Sequence, residues 1–167
     1  MRLAVYLLLP LVLVALVAAA CTRSAAGREV PQPIAFSHAA HAAADLDCAR
    51  CHRGAEAEAE AGLVALATCL SCHRRVIPDH PEIQKMQVAY DENAAIEWVK
   101  VNHLPEKSMV HFHHGVHTKA GVECASCHGD VTQMTTVVPI VDVANMGWCI
   151  DCHREQEASV DCLACHF

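Results

Sequence analysis

Five short stretches share one arrangement of reactive side chains: DCARCHRG, TCLSCHRR, ECASCHGD, WCIDCHRE and DCLACHF each carry two cysteines three apart and a histidine directly after the second. The cysteines are Cys48 and Cys51, Cys69 and Cys72, Cys124 and Cys127, Cys149 and Cys152, and Cys162 and Cys165; the histidines are His52, His73, His128, His153 and His166. Three chemistries compete for this pattern. Disulfides are disfavoured, because cysteines three apart are poor partners outside redox motifs and a framework of bridges gives no reason for a histidine after every pair. Tetrahedral zinc takes paired cysteines, but five pairs leave one unmatched, and zinc again does not require the adjacent imidazole. Covalent haem uses every element: each thiol adds to a vinyl group to form a thioether, and the next residue sets its imidazole on the iron as proximal ligand. On one helical turn residues i and i+3 share a face, so two thioethers hold the macrocycle edge while the imidazole at i+4 reaches beneath it. Ten of eleven cysteines fall in such motifs, and five covalent haem c groups are expected.

The sixth coordination position decides between carrier and enzyme, since an iron with both axial sites filled by protein passes electrons and does not readily bind substrate. Eight histidines remain: His38, His41, His80, His103, His111, His113, His114 and His117. FSHAAHAAADLDCARCH at 36–52 matches FHHGVHTKAGVECASCH at 112–128 at a constant offset of 76, so Phe36 answers to Phe112, His38 to His114 and His41 to His117. The duplicated Phe-x-His-x-x-His gives His38, His41, His114 and His117 one shared reason, and they are the expected distal ligands, with Phe36 and Phe112 packing on haem faces. Exposed helix histidines are the bland alternative. For the fifth iron Met146, in NMGWC, leads His103, His111 and Met109; plain packing of Met146 is an equal reading, and a thioether there would raise that haem's potential. His80 and His113 have no histidine counterpart in the other copy, so a surface place or a hydrogen bond to a propionate is expected for both.

The elements that must position these groups are sparse. A chain of 167 residues makes one small domain or two very small ones, and seven aromatics cannot fill a conventional core. Beyond residue 20 the aromatic core formers are Phe36, Tyr90, Trp98, Phe112, Trp148 and Phe167, so flat apolar macrocycles are expected to supply the interior. The expected fold is mostly α and irregular, with little regular secondary structure: a duplicated two-haem unit, residues about 34–75 and 110–154, followed by a fifth motif at 162–166. The second motifs, at Cys69 and Cys149, drift to an offset of 80. GAEAEAEAG at 54–62 reads as solvated scaffold, either a short exposed helix or a mobile loop. IEWVKVNHLP at 96–105 and TTVVPIVDV at 135–143 have β-like content, and Pro105 and Pro139 keep them short or at an edge.

The N-terminus is apolar, with Arg2 followed by eighteen uncharged residues from Leu3 to Ala20. Residues 1–20 read as an export signal, and their length is also at the lower limit for a retained membrane anchor. Cys21 follows VAAA, which resembles a bacterial lipoprotein box and makes Cys21 a lipidation candidate; an odd cysteine beside an ordinary cleavage site or anchor is the alternative. TRSAAGREVPQP at 22–33 completes a tether over 21–33, ahead of a cytochrome body at 34–167. Without Arg2 the chain holds 11 Lys and Arg against 19 Asp and Glu, a net charge of 11 − 19 = −8 with histidine neutral. That balance argues against nucleic acid and for a basic protein partner.

The histidine-rich leader before the first and third motifs is similar to the class III multihaem cytochromes c. The longer order FSHAAH, CARCH, CLSCH, IEWVKVNHLP, HFHHGVHTKAGVECASCHGDV and MGWCIDCHR resembles the pentahaem cytochrome subunit of bacterial alternative complex III, over about residues 34–154. The resemblance implies a subunit of a membrane quinol-oxidising assembly, receiving electrons through an iron-sulfur subunit beside membrane subunits and relaying them to a downstream cytochrome or oxidase. The residues themselves support an electron-transfer protein with no catalytic site of its own, exported to the periplasm or the outer face of the cytoplasmic membrane and tethered there by lipid or helix. Two other readings compete: a multihaem reductase of a small inorganic substrate, and a free-standing periplasmic shuttle.

Overall fold

The computed structural model describes residues 27–167; the signal or anchor at 1–20 and Cys21 lie outside the described residues. Among the described residues seven α-helices follow one another: α1 His38–Ala42, α2 Cys48–Cys51, α3 Leu66–His73, α4 Pro81–Asp91, α5 His114–Lys119, α6 Cys124–His128 and α7 Met146–Glu155. Four 3₁₀ turns, Arg53–Glu56, Glu106–Ser108, Val131–Gln133 and Cys162–Ala164, complete the regular structure, and no strand forms among the described residues.

Every haem motif begins at a helix or turn, and short polar residues open several of them. Asp47 starts α2 by accepting from Ala49 N–H at 2.7 Å, Asn145 starts α7 by accepting from Gly147 N–H at 3.0 Å, and Asp161 starts the last turn by accepting from Leu163 N–H at 2.7 Å. Ser37 does the same for α1, its hydroxyl accepting from Ala40 N–H at 3.2 Å. His80 is exposed, as a surface place requires, and it also has a local role: its Nδ1 accepts from Glu82 N–H at 3.2 Å and caps α4, with Pro81 at the first helical position.

The conventional core is small. Ile34, Leu70, Ile83 and Met86 are buried together, with Leu66, Cys69, Ile96 and Trp98 packed around them, where α3 meets α4. The two stretches of β-like composition become extended connections. IEWVKVNHLP lends Ile96 and Trp98 to that core, and its Val99 pairs in both directions with the Gln32 amide, at 2.9 and 3.1 Å. A side chain thus takes the place that a neighbouring strand would fill. Gly27 N–H donates to Pro139 O at 2.6 Å, so the segment expected as a tether meets the body at that point.

The two copies of the repeat interlock. Helix α1 of the first copy packs on the Val131–Gln133 turn that follows the third motif, and Ala39 N–H donates to Met134 O at 3.0 Å. Helix α5 of the second copy packs on the Arg53–Glu56 turn that follows the first motif. There Thr118 Oγ1 donates to Ala55 O at 2.9 Å, and His114 and Gly115 N–H donate to Ala59 and Glu58 O at 3.2 and 3.0 Å. Gly115 is required by this approach, because a Cβ would lie 2.7 Å from the Ala57 carbonyl carbon. The alanine–glutamate run is therefore more than solvated scaffold: its glutamate side chains face water while its carbonyls hold the other copy.

Candidate haem-binding sites

Four imidazole pairs face each other across the interlocked body. His38 and His52 lie with ring centres 6.4 Å apart and planes 9° from parallel, and His114 and His128 repeat both values. His41 faces His73 at 5.9 Å and 66°, and His117 faces His153 at 6.0 Å and 44°. Each short helix serves two sites, because its histidines are three apart and diverge enough to reach different partners. The ring separations exceed contact: Phe36 on His41, a true stack, has centres 4.3 Å apart at 24°. Two metal–imidazole bonds of about 2 Å end to end, plus the half-rings beyond them, account for a spacing of about 6 Å.

Protonation is arranged for the same purpose. The Nδ1 atoms of His41, His52, His73, His114, His117 and His153 meet the carbonyls of Ser37, Gly62, Val76, Ala59, His113 and Ser159 at 2.6–3.1 Å. A carbonyl only accepts, so each Nδ1 carries the proton and each Nε2 keeps its lone pair for a metal. His128 differs, its Nδ1 lying 3.0 Å from the side-chain amide of Asn102. Burial first, and then the neighbouring His52 and His41, hold the His38 imidazole below its ordinary value and hence neutral. Burial and then His114 and His52 do the same for His128.

The ten described cysteines are all unpaired, and no group of three or more His, Cys, Asp or Glu side chains converges as a zinc site would need among the described residues. Several of the thiols are partly buried beside thiols of other motifs. Burial pushes the Cys69 thiol up and neighbouring Cys51 adds to the rise, while burial and then Cys48 act on Cys124. Burial and then Cys152 and Cys149 raise Cys127, and burial and then Cys165 raise Cys149. The geometry orders the motifs: His38 and His41 on α1 face the first and second, His114 and His117 on α5 face the third and fourth, α5 rests on the turn behind the first, and His153 Nδ1 meets Ser159 O on the chain leading into the fifth. Sites in that order, paired thiols and opposed neutral imidazoles fit haem c.

The fifth site is less complete. His166 faces no imidazole among the described residues, His103 is exposed, and Met146 is 63% exposed at the start of α7. His111 is the residue brought closest in backbone terms: its N–H donates to Cys165 O at 2.8 Å, and its ring stacks on Phe167 at 4.4 Å and 23°. Phe36 and Phe112 stack on His41 and His117, the latter pair at 4.6 Å and 27°, and meet His38 and His114 edge-on. The repeat predicts packing on haem faces; the contacts the structure gives Phe36 and Phe112 are with the imidazoles themselves. No signal in the residue pattern points to Asn102, or to the backbone carbonyls that set the tautomers.

Residues 15–100 match the class III cytochrome C family, and residues 110–167 match cytochrome c7 and related cytochrome c. A curated relative, the cytochrome c-type protein NrfB of Escherichia coli O6:H1, is 32% identical over 102 residues, 55% of this chain and 52% of the relative. The chain spans about half the length of the curated relative it matches. With paired thiols and histidines in every motif, and a family match over just over half of its length, the chain belongs to the class III cytochrome C family, multihaem c-type cytochromes that transfer electrons.

Proposed function

We propose that the chain is a five-haem electron relay, with Cys48 and Cys51, Cys69 and Cys72, Cys124 and Cys127, Cys149 and Cys152, and Cys162 and Cys165 as the attachment points. His52, His73, His128, His153 and His166 are the proximal ligands, and His38, His41, His114 and His117 the distal ligands of the first, second, third and fourth sites. The observation that carries this reading is the set of four facing imidazole pairs, at 5.9–6.4 Å, which leaves those sites no position for a substrate. When bound, haem supplies one-electron chemistry at each site, the iron alternating between two oxidation states. The protein's part is to hold each Nε2 unprotonated, to fix ring orientation through Nδ1, and to set the sites in the order second, first, third, fourth, fifth.

The wider setting is what the resemblance to the pentahaem subunit of alternative complex III implies, with the N-terminus read as the tether. The relay serves as a tethered subunit of a quinol-oxidising respiratory assembly, between an iron-sulfur subunit and a downstream cytochrome or oxidase, on the outer face of the cytoplasmic membrane. Its acidic balance, 11 Lys and Arg against 19 Asp and Glu without Arg2, suits basic docking partners.

A haemochrome assay on exported protein should return five haems per chain, and magnetic circular dichroism should find at least four of them low-spin. Four or fewer haems, or zinc in their place, overturns the stoichiometry. Two or more high-spin haems would overturn the ligand assignment and favour a reductase of a small inorganic substrate.

A further inference from the structure

We propose that Asn102 is a positioning residue for the third site: its side-chain amide holds the His128 ring and sets how strongly that imidazole donates to iron. The inference rests on the relay reading for its significance, and on geometry for its substance.

Six of the paired imidazoles anchor Nδ1 on a main-chain carbonyl, which no substitution removes. His128 alone among the proximal residues of the four facing pairs anchors Nδ1 on a side chain, with Asn102 Nδ2 at 3.0 Å and Asn102 Oδ1 buried without a partner. The two ends of an amide differ by a half-turn about its last bond, and the hydrogen-bond network decides which is which. An Nδ2 donor facing Nδ1 would force the proton onto Nε2 and close the ring to a metal. The opposed His114 ring, parallel at 6.4 Å, requires that same Nε2 to be free. The amide therefore stands with Oδ1 toward His128, accepting from Nδ1–H. An acceptor there raises the basicity of the ligand and favours the ferric form.

Position adds to the case. Asn102 lies in the extended IEWVKVNHLP connection, pinned at Val99 by Gln32, and reaches the third motif across 26 residues of sequence. The third site is the middle member of the order second, first, third, fourth, fifth, so its potential governs whether the two halves of the molecule exchange electrons evenly.

The test is a spectroelectrochemical titration of the full holoprotein and of Asn102→Leu and Asn102→Asp. Removing the acceptor should raise the potential of one component, and a carboxylate acceptor should lower that same component. Between the two variants the oxidised-to-reduced ratio at a fixed potential should differ at least tenfold, about 59 mV for one electron. The shifting component should vanish when Cys124→Ser and Cys127→Ser remove the third site. Haem content and low-spin character should match the unsubstituted protein, and neither depends on which assembly the chain serves. The proposal is overturned if both variants shift the component in one direction, if none moves, or if Asn102→Leu loses haem while Asn102→Asp titrates as the unsubstituted protein does.

Discussion

On the proposed assignment each distal histidine shares one iron with the ring that faces it, so the four should fail separately. Replacing His38, His41, His114 or His117 with alanine should turn one haem of the five high-spin while leaving attachment intact, because attachment depends on the thiols. Magnetic circular dichroism on each variant checks this, and His113→Ala is the control, since the His113 ring faces no proximal imidazole. A wholly low-spin spectrum from all four variants would mean that other groups fill the distal positions. Side-chain chemistry at this scale was legible in the sequence wherever it was repeated: the offset of 76 singled out His38, His41, His114 and His117, and the structure sets all four opposite proximal rings. It was illegible where it occurs once. Asn102 has no counterpart playing its part, because the equivalent ring in the first copy, His52, uses the Gly62 carbonyl instead. The fifth distal ligand was illegible for the same reason, and Met146 and His103 remain candidates beside His111.

At the scale of elements the body is held by a reciprocal exchange rather than by a core. Each copy presses its two-histidine helix on the 3₁₀ turn behind the other copy's first motif, and Gly115 is where this contact is tightest. Gly115→Ala would place a methyl 2.7–2.9 Å from three backbone atoms of Ala57, and main chain has no rotamer by which to yield. Overpacking of this kind costs about 1–3 kcal/mol, so the guanidinium midpoint of the holoprotein should fall accordingly. Gly147→Ala, which meets Asn145 Oδ1 at 3.1 Å and no other copy, should cost less. Equal losses would show that the interlock contributes nothing special. Composition could indicate that helices would be short and that regular structure would be scarce, because seven aromatics leave little apolar side-chain surface for long helices to bury. It misjudged the alanine–glutamate run and the β-like stretches, since backbone carbonyls and a single Gln32 amide do work there that side-chain patterning does not encode.

Over the whole molecule, the spatial order of the motifs departs from their order along the chain, and this gives the relay a centre and two ends. Duplication with interlocking is the cause: the turns that follow the first and third motifs are those on which the opposite copies' two-histidine helices rest, so these two motifs lie where the copies meet. Removing an end site should therefore differ in kind from removing a central one. Substituting Cys69→Ser and Cys72→Ser takes away a terminal site and leaves the first, third, fourth and fifth contiguous. Substituting Cys124→Ser and Cys127→Ser leaves two separated pairs. A photosensitiser attached at Val160→Cys, 45% exposed before the fifth motif, supplies an electron at one end of either variant. In the terminal variant the electron should spread over all four remaining sites as fast as in the five-site protein. In the central variant it should stay on the fourth and fifth sites, and its arrival at the first and second should slow at least tenfold. Haem counts of four in both variants make the comparison fair, and the guanidinium midpoint reports whether the central variant still interlocks. Arrival at the first site without delay in a folded central variant would mean that the motifs connect by another route, and the order second, first, third, fourth, fifth would be wrong.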